Sequence, residues 1–417
     1  MNLIDKILVI NIKESKISFK KAVIIFLIFA FSYFTSALIR AITATLSPTL
    51  TIEFELQARD LGLLGGGYFL GFAAMQLPAG YWLDKYGPKK VVMILLSIAV
   101  LSCFAFSISN SFIKLIISRT FIGVGVAACL MGPLTGYRKW FPAEFQQRLN
   151  SWMLMFASFG MLVSTVPVQF LLPIIGWRWI FFGLAIIFLL LILLIFLNVP
   201  EWKNDNSTKT DQPNSLIANY SIIFRDNYFK KLAPIAFFNY GGFVAIQTLW
   251  AGPWLKKMCG YDPAQAANGL FWMNFSMMIG FLGLGLVVPI LYKKGFSIDK
   301  VISYSLPFSF IALLNLILSG TNSGALYVTL FLVFSISSTL GQPAIGMHFS
   351  KEIAGKALSA FNLLIFTGAF VTQWGIGLII DLVKSFGYSE IIAFQTSFAV
   401  LLCCCIGSYI FFLRKNN

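Results

Sequence analysis

Charge is scarce in this sequence, and so are the residues that do chemistry. Asp, Glu, Lys and Arg make up 11% of the 417 residues, there is one histidine, and each of the 16 acidic residues lies in a loop or near the end of an apolar run. The six cysteines show no C-x-x-C spacing, and all but Cys259 sit inside apolar runs, which leaves neither a disulfide framework nor a metal site. No G-x-x-x-x-G-K-[ST] sequence is present to cradle ATP phosphates. The one glycine-rich stretch, "GVGVAA" at 123–128, lies inside an apolar run, where small residues let helices pack closely. Catalysis needs a cluster of carboxylate, His or Cys side chains and the apolar runs offer none, so the chain is read as a non-enzyme without cofactor or metal.

Apolar residues fill the space that charge leaves. They make up 58% of the chain, with 43 phenylalanines, more than a soluble domain can hide. Crossing a bilayer as a helix takes about 20 apolar residues. Twelve such runs occur, near 22–47, 60–82, 91–109, 112–136, 150–173, 177–198, 232–254, 266–291, 300–319, 324–347, 357–381 and 390–413. The expected fold is therefore an all-α membrane protein of twelve transmembrane helices. The polar stretch "EWKNDNSTKTDQPNS" reads as a linker. It divides the chain into an amino-terminal tail (1–21), a six-helix bundle (22–198), the linker (199–231), a second bundle (232–413) and a short carboxyl terminus (414–417). A shift of 207 residues lays Tyr33 on Tyr240, Arg40 on Gln247 and Thr43 on Trp250, as pseudo-symmetric halves would.

Basic residues set the orientation. With the amino terminus inside, 23 of the 31 Lys and Arg fall on the cytoplasmic side and six outside, while Arg40 and Arg119 lie within spans. That bias puts both termini in the cytoplasm. The +15 net charge is thus distributed by topology rather than gathered on a soluble face, which excludes a nucleic-acid partner.

After the second run comes "GYWLDKYGPKK", Gly80 to Lys90: a glycine, an aspartate four residues on, a second glycine and a basic cluster. The stretch resembles the cytoplasmic loop signature of the major facilitator superfamily, with Pro88 inserted before Lys89 and Lys90. "RTFIGVGVAA" resembles the family's R-x-x-x-G-x-G-x-A pattern through Arg119, Gly123, Gly125 and Ala127, and "GWRWIF" at 176–181 is a common start of the sixth span. The resemblance implies two bundles that rock about a central cavity lined by the first, fourth, seventh and tenth spans, in a monomer of a bacterial inner membrane. It also implies a conformational latch built on Gly80, Asp84, Gly87, Lys89 and Lys90, with Arg119 as a further gating residue. The equivalent turn of the second half has Tyr292 in place of the aspartate, so the latch is not expected to be symmetrical.

Arg40 stands in the middle of the first span, where a charge costs several kcal/mol unless it faces protein or a wet cavity. Tyr33, Ser36 and Thr43 share its helix face at spacings of 4 and 3. No carboxylate lies at its depth, which is the arrangement expected of a binding site for an anionic group. Tyr240, Gln247 and Trp250 form a second polar and aromatic face in the seventh span, Gln342 belongs to the tenth, and Asn362 and Gln373 to the eleventh. Trp254 reads as part of an interfacial belt and His348 as a loop residue. These residues point to a secondary transporter that takes up a small anionic or zwitterionic solute bearing a carboxylate (an amino acid, short peptide or hydroxy-carboxylate), with a proton as the coupling ion to test. An exporter of drugs or siderophore-like compounds, and a membrane receptor that binds without transporting, are the rival readings.

Overall fold

The computed structural model describes residues 18–142, 145–202, 220–350 and 353–414. Most of the expected tail and linker lies outside the described residues. Ten stretches are long and apolar enough to cross a membrane. Two of them, Gln76–Ser107 and Val166–Asn198, each contain one residue that no helix tolerates, Gly87 at φ 77° and Gly176 at φ 73°. Both glycines occupy the left-handed half of backbone space that other residues avoid, so each marks a sharp reversal between two helices. Twelve helices result: α1 Phe19–Glu53, α2 58–86, α3 88–107, α4 Phe112–Trp140, α5 146–175, α6 177–198, α7 Asn227–Met258, α8 Pro263–Lys293, α9 Ile298–Asn322, α10 Gly324–His348, α11 Ala354–Ser385 and α12 Glu390–Arg414. They extend a few residues beyond the apolar runs because capping groups carry the helices into the polar flanks. Asp262 does so at the start of α8, its carboxylate accepting from the Gln265 N–H while the Gln265 side chain accepts from the Asp262 N–H.

Polar side chains inside the spans mostly satisfy themselves. Ser32 donates to the Ile28 carbonyl and Thr35 to the Phe31 carbonyl, one turn back on their own helix. The face of the bundles opposite the linker, the far face, is pinned in the first bundle by Glu53. Its carboxylate accepts from the Trp177 indole at 2.7 Å and from Arg178 at 2.6 Å, tying α1 to the start of α6. Trp254 departs from the expected interfacial belt: it is fully buried and donates to Ser323.

The bundles come closest along two seams. An ideal Cβ at Gly62 would lie 2.4 Å from the Gln373 carbonyl oxygen, and one at Gly377 would lie 2.3 Å from that of Ala58, so α2 and α11 touch backbone to backbone. In the second seam a Cβ at Gly252 on α7 would lie 2.4 Å from the Ala44 carbonyl oxygen on α1. Both close contacts belong to the far half of the molecule.

Candidate substrate site

The helices around the molecular centre are irregular where they carry polar groups. α7 contains three π-helical turns, Ile235–Tyr240, Ile246–Trp250 and Trp254–Met258, which rotate the side-chain register between Tyr240 and Gln247. α4 breaks into turns at 127–130, beside Cys129. Ridges of glycine draw α4 onto α2: a Cβ at Gly123 would lie 2.0 Å from the Tyr68 carbonyl oxygen.

This packing places Arg119 of α4 beneath α1. Its guanidinium is buried, donates to the Ile39 carbonyl at 2.8 Å and to the Thr43 hydroxyl at 2.6 Å, and lies 5.0 Å from the centre of the Tyr68 ring. Arg119 therefore works inside the first bundle, away from the 80–90 turn with which the sequence grouped it. Thr43 is occupied by the same contact.

Arg40 is placed differently. It is half-buried, its Nε is enclosed without a hydrogen-bond partner, and no carboxylate among the described residues pairs with it. Tyr33 on α1, Tyr68 on α2 and Tyr240 on α7 lie within electrostatic reach of it, and the Tyr33 hydroxyl hydrogen-bonds with its guanidinium. The Tyr68 hydroxyl, which faces Ser36, is likewise enclosed without a partner. The Arg40 guanidinium therefore has a buried donor with no acceptor and no counter-ion among the described residues. Tyr68 was missed in the sequence because it sits in the apolar run "GGGYFLGF", where an aromatic reads as packing.

The remaining residues divide by depth. Tyr33, Arg40, Tyr240, Gln342 and Asn362 are half-buried and lie toward the linker side, with Gln342 donating to Asn362 across α10 and α11. Gln247, Trp250 and Gln373 are buried on the far side and hold each other's helices. Trp250 donates to the Gln373 carbonyl, Gln373 to Thr248, and Gln247 to Asn274. The polar residues of the central line are thus less deeply buried in the linker half than in the far half. At the 80–90 turn, Lys89 pairs with Glu201 at 2.9 Å, and a Cβ at Gly87 would overlap the Trp202 side chain, so the turn packs against the start of the linker. Gly80 faces Ser359 of α11, and Lys90 and Asp84 lie in the same turn. His348 closes α10 against Asp226 at 3.2 Å, at the head of α7.

The family model of the Major Facilitator Superfamily matches residues 29–373. The chain belongs to the Major Facilitator Superfamily. Its fold is shared with the crystal structure of a D-xylose-proton symporter at a TM-score of 0.75, over 94% of this chain and 97% of that one, at 17% identity. Among curated relatives it is 25% identical over 264 residues to the cis,cis-muconate transport protein of Acinetobacter baylyi, covering 61% of this chain and 60% of the relative. It is 24% identical over 247 residues to the probable sulfoacetate transporter of Cupriavidus necator, covering 56% and 57%. The matches thus span under two thirds of the length of these relatives. A multi-pass membrane protein of this superfamily, with two six-helix bundles, is what the sequence led us to expect.

Proposed function

We propose that this superfamily member is a secondary transporter that carries a small carboxylate-bearing solute by alternating access. The observation that carries the reading is Arg40: a guanidinium at mid-span with an unpartnered Nε, three tyrosines within electrostatic reach and no carboxylate among the described residues paired with it. The names of the two relatives, a muconate and a sulfoacetate transporter, are in keeping with an anionic cargo. Arg40 holds the carboxylate through its fork, and Tyr33, Tyr68 and Tyr240 donate to the remaining lone pairs. With both termini in the cytoplasm of a bacterial inner membrane, the far face is extracellular, and closure there with access from the linker side corresponds to an inward-facing state. Rocking then separates the two glycine seams, while Asp84 and its turn latch the opposite side. The chain acts as a monomer, and a proton enters with the solute.

The test measures binding and flux together. Purified protein is titrated with cis,cis-muconate, sulfoacetate and an uncharged diamide analogue of muconate, before and after Arg40→Ala and Arg40→Lys. Removing a charged partner typically costs about 2 to 5 kcal/mol, which is roughly 30-fold or more in affinity. The acids should lose that affinity in Arg40→Ala, lose less in Arg40→Lys, and the diamide should be indifferent. Equal losses for acid and amide would make Arg40 structural. Binding without flux in vesicles would make the protein a receptor.

A further inference from the structure

A shallow crevice, with room for about one water-sized group, opens between the bundles on the far face. Its walls come from α1 (Ala44, Thr45, Pro48), α5 (Gln169), α7 (Gly252, Lys256) and α8, including Ala266 and Leu270. Thr45 already donates to the Ser164 carbonyl, so Lys256 and Gln169 supply the free polar groups. Two adjacent lysines here have opposite fates. Lys257 is paired with Glu390 at 2.7 Å. Lys256 is half-buried in the cleft and has no carboxylate partner among the described residues. The acidic groups close in sequence or in space are committed elsewhere: Asp262 caps α8 and Glu53 holds Trp177 and Arg178.

The position along the chain matters as much as the charge. Ala44 lies one helical turn beyond Arg40 on α1 and Pro48 two turns beyond, so the cleft stands on the same helix as Arg40 and directly to its far side. The Gly252–Ala44 seam is part of the wall. Opening that seam would extend the crevice along α1 toward Arg40. We propose that Lys256, with Gln169, forms an outer anion station that receives the anionic group of the solute on its way to or from Arg40. This rests on the reading of the cargo as an anion. A half-buried ammonium at the mouth of a crevice raises the local anion concentration, and the same field disfavours cationic solutes. The alternative source of an anion at this depth is a lipid phosphate, which Lys256 would reach by leaning outward.

The test does not depend on knowing the cargo. In a background with the six native cysteines replaced, Ala266→Cys on the α8 wall is reacted with an anionic and a cationic methanethiosulfonate of similar size, in nanodiscs of phosphatidylcholine. The anionic reagent should react about 10-fold faster relative to the cationic one, in line with focusing by charged clefts. Lys256→Gln should bring the ratio to about 1, and raised salt should do the same. A ratio that Lys256→Gln leaves unchanged overturns the station. Nanodiscs containing phosphatidylglycerol separate the two sources: a preference that persists supports a cleft open to solutes, and one that disappears there means that lipid occupies Lys256 and the proposal fails. Because the readout is local, an Arg40→Ala result against an anionic cargo would leave this ratio standing, and the two failures can be told apart.

Discussion

The carboxylate of Asp381, near the end of α11, accepts hydrogen bonds from the backbone N–H groups of Arg59 at 2.8 Å and Ala58 at 3.2 Å, the first residues of α2. One bundle thereby caps a helix of the other. A carboxylate at a helix amino terminus satisfies orphan donors and sits favourably in the helix dipole, and this one does both only while the far side is closed. Asp381→Ala removes the cap, at a cost of about 0.5 to 2 kcal/mol, or roughly 2- to 30-fold in the balance between closed and open. A cysteine in place of Leu249, buried under Gly65 in the same seam, should then react correspondingly faster with an impermeant maleimide. An unchanged rate would mean that Asp381 does not hold this gate.

The glycine contacts make a sharper prediction, because their partners are backbone and cannot swing away. A Cβ at Gly377 would sit 2.3 Å from the Ala58 carbonyl oxygen and one at Gly62 would sit 2.4 Å from that of Gln373. Gly377→Val and Gly62→Val should each prevent far-side closure and reduce flux at least 10-fold, with the folded protein still recovered as a monodisperse peak. Gly375, two residues from Gly377, meets nothing within 4 Å, so Gly375→Ala should behave as wild type. Full activity in Gly377→Val would show that the seam is not closed at any step of the cycle.

How much of this was legible beforehand depended on period and charge. Arg40 announced itself because a guanidinium in a run of apolar and small residues has few explanations, and the Tyr33 face followed from helical spacing. Twelve spans followed from run length alone. The breaks near Gly87 and Gly176 were legible too, from the charged turn "DKYGPKK" and from "GWRWIF", whereas the positive φ that lets each glycine make its break was not. Tyr68 and the Gly62–Gly66 seam looked like packing, and only a three-dimensional partner, Gln373 or Phe370 of α11, turns them into a gate. Trp254 misled because an aromatic beside two lysines fits a membrane interface, whereas a π-helical turn rotates it inward onto Ser323. That an aspartate on α11 caps α2 had no signal in the sequence, because the cap joins residues more than 300 positions apart.

Arg119 should be a stability residue first. Its two short bonds tie α4 to the Ile39 carbonyl and the Thr43 hydroxyl, and hydrogen bonds to charged groups are worth about 1.5 to 3 kcal/mol each. Arg119→Met fills similar volume without donors and should lower the melting temperature by on the order of 10 °C. Arg119→Lys, one ammonium in place of a fork, should fall between. Binding of the cargo to whatever protein remains folded should change less than in Arg40→Ala. A mutant of wild-type stability that has lost all binding would move Arg119 into the site.

Asp226 gives a prediction in pH. It caps α7, its carboxylate accepting from the Phe229 N–H at 2.8 Å and facing His348. Partial burial pushes its pKa up, but the Phe229 N–H and the His348 contact outweigh that and hold it below the usual 3.8. A carboxyl that ionises more readily folded than unfolded stabilises the fold above the unfolded value, and the contribution is lost as pH falls through the folded value. Asp226→Ala should therefore cost about 1 kcal/mol near neutral pH. Asp226→Asn, which still caps, should recover most of it and leave only the charge-dependent part missing. Melting temperatures of wild type and Asp226→Asn, measured from pH 7 downward, should show a small gap above the usual 3.8 that closes below it. His348→Gln should narrow the gap without abolishing it, because the backbone donor remains. Curves that stay parallel through pH 3 would show that the charge on Asp226 contributes nothing at the head of α7.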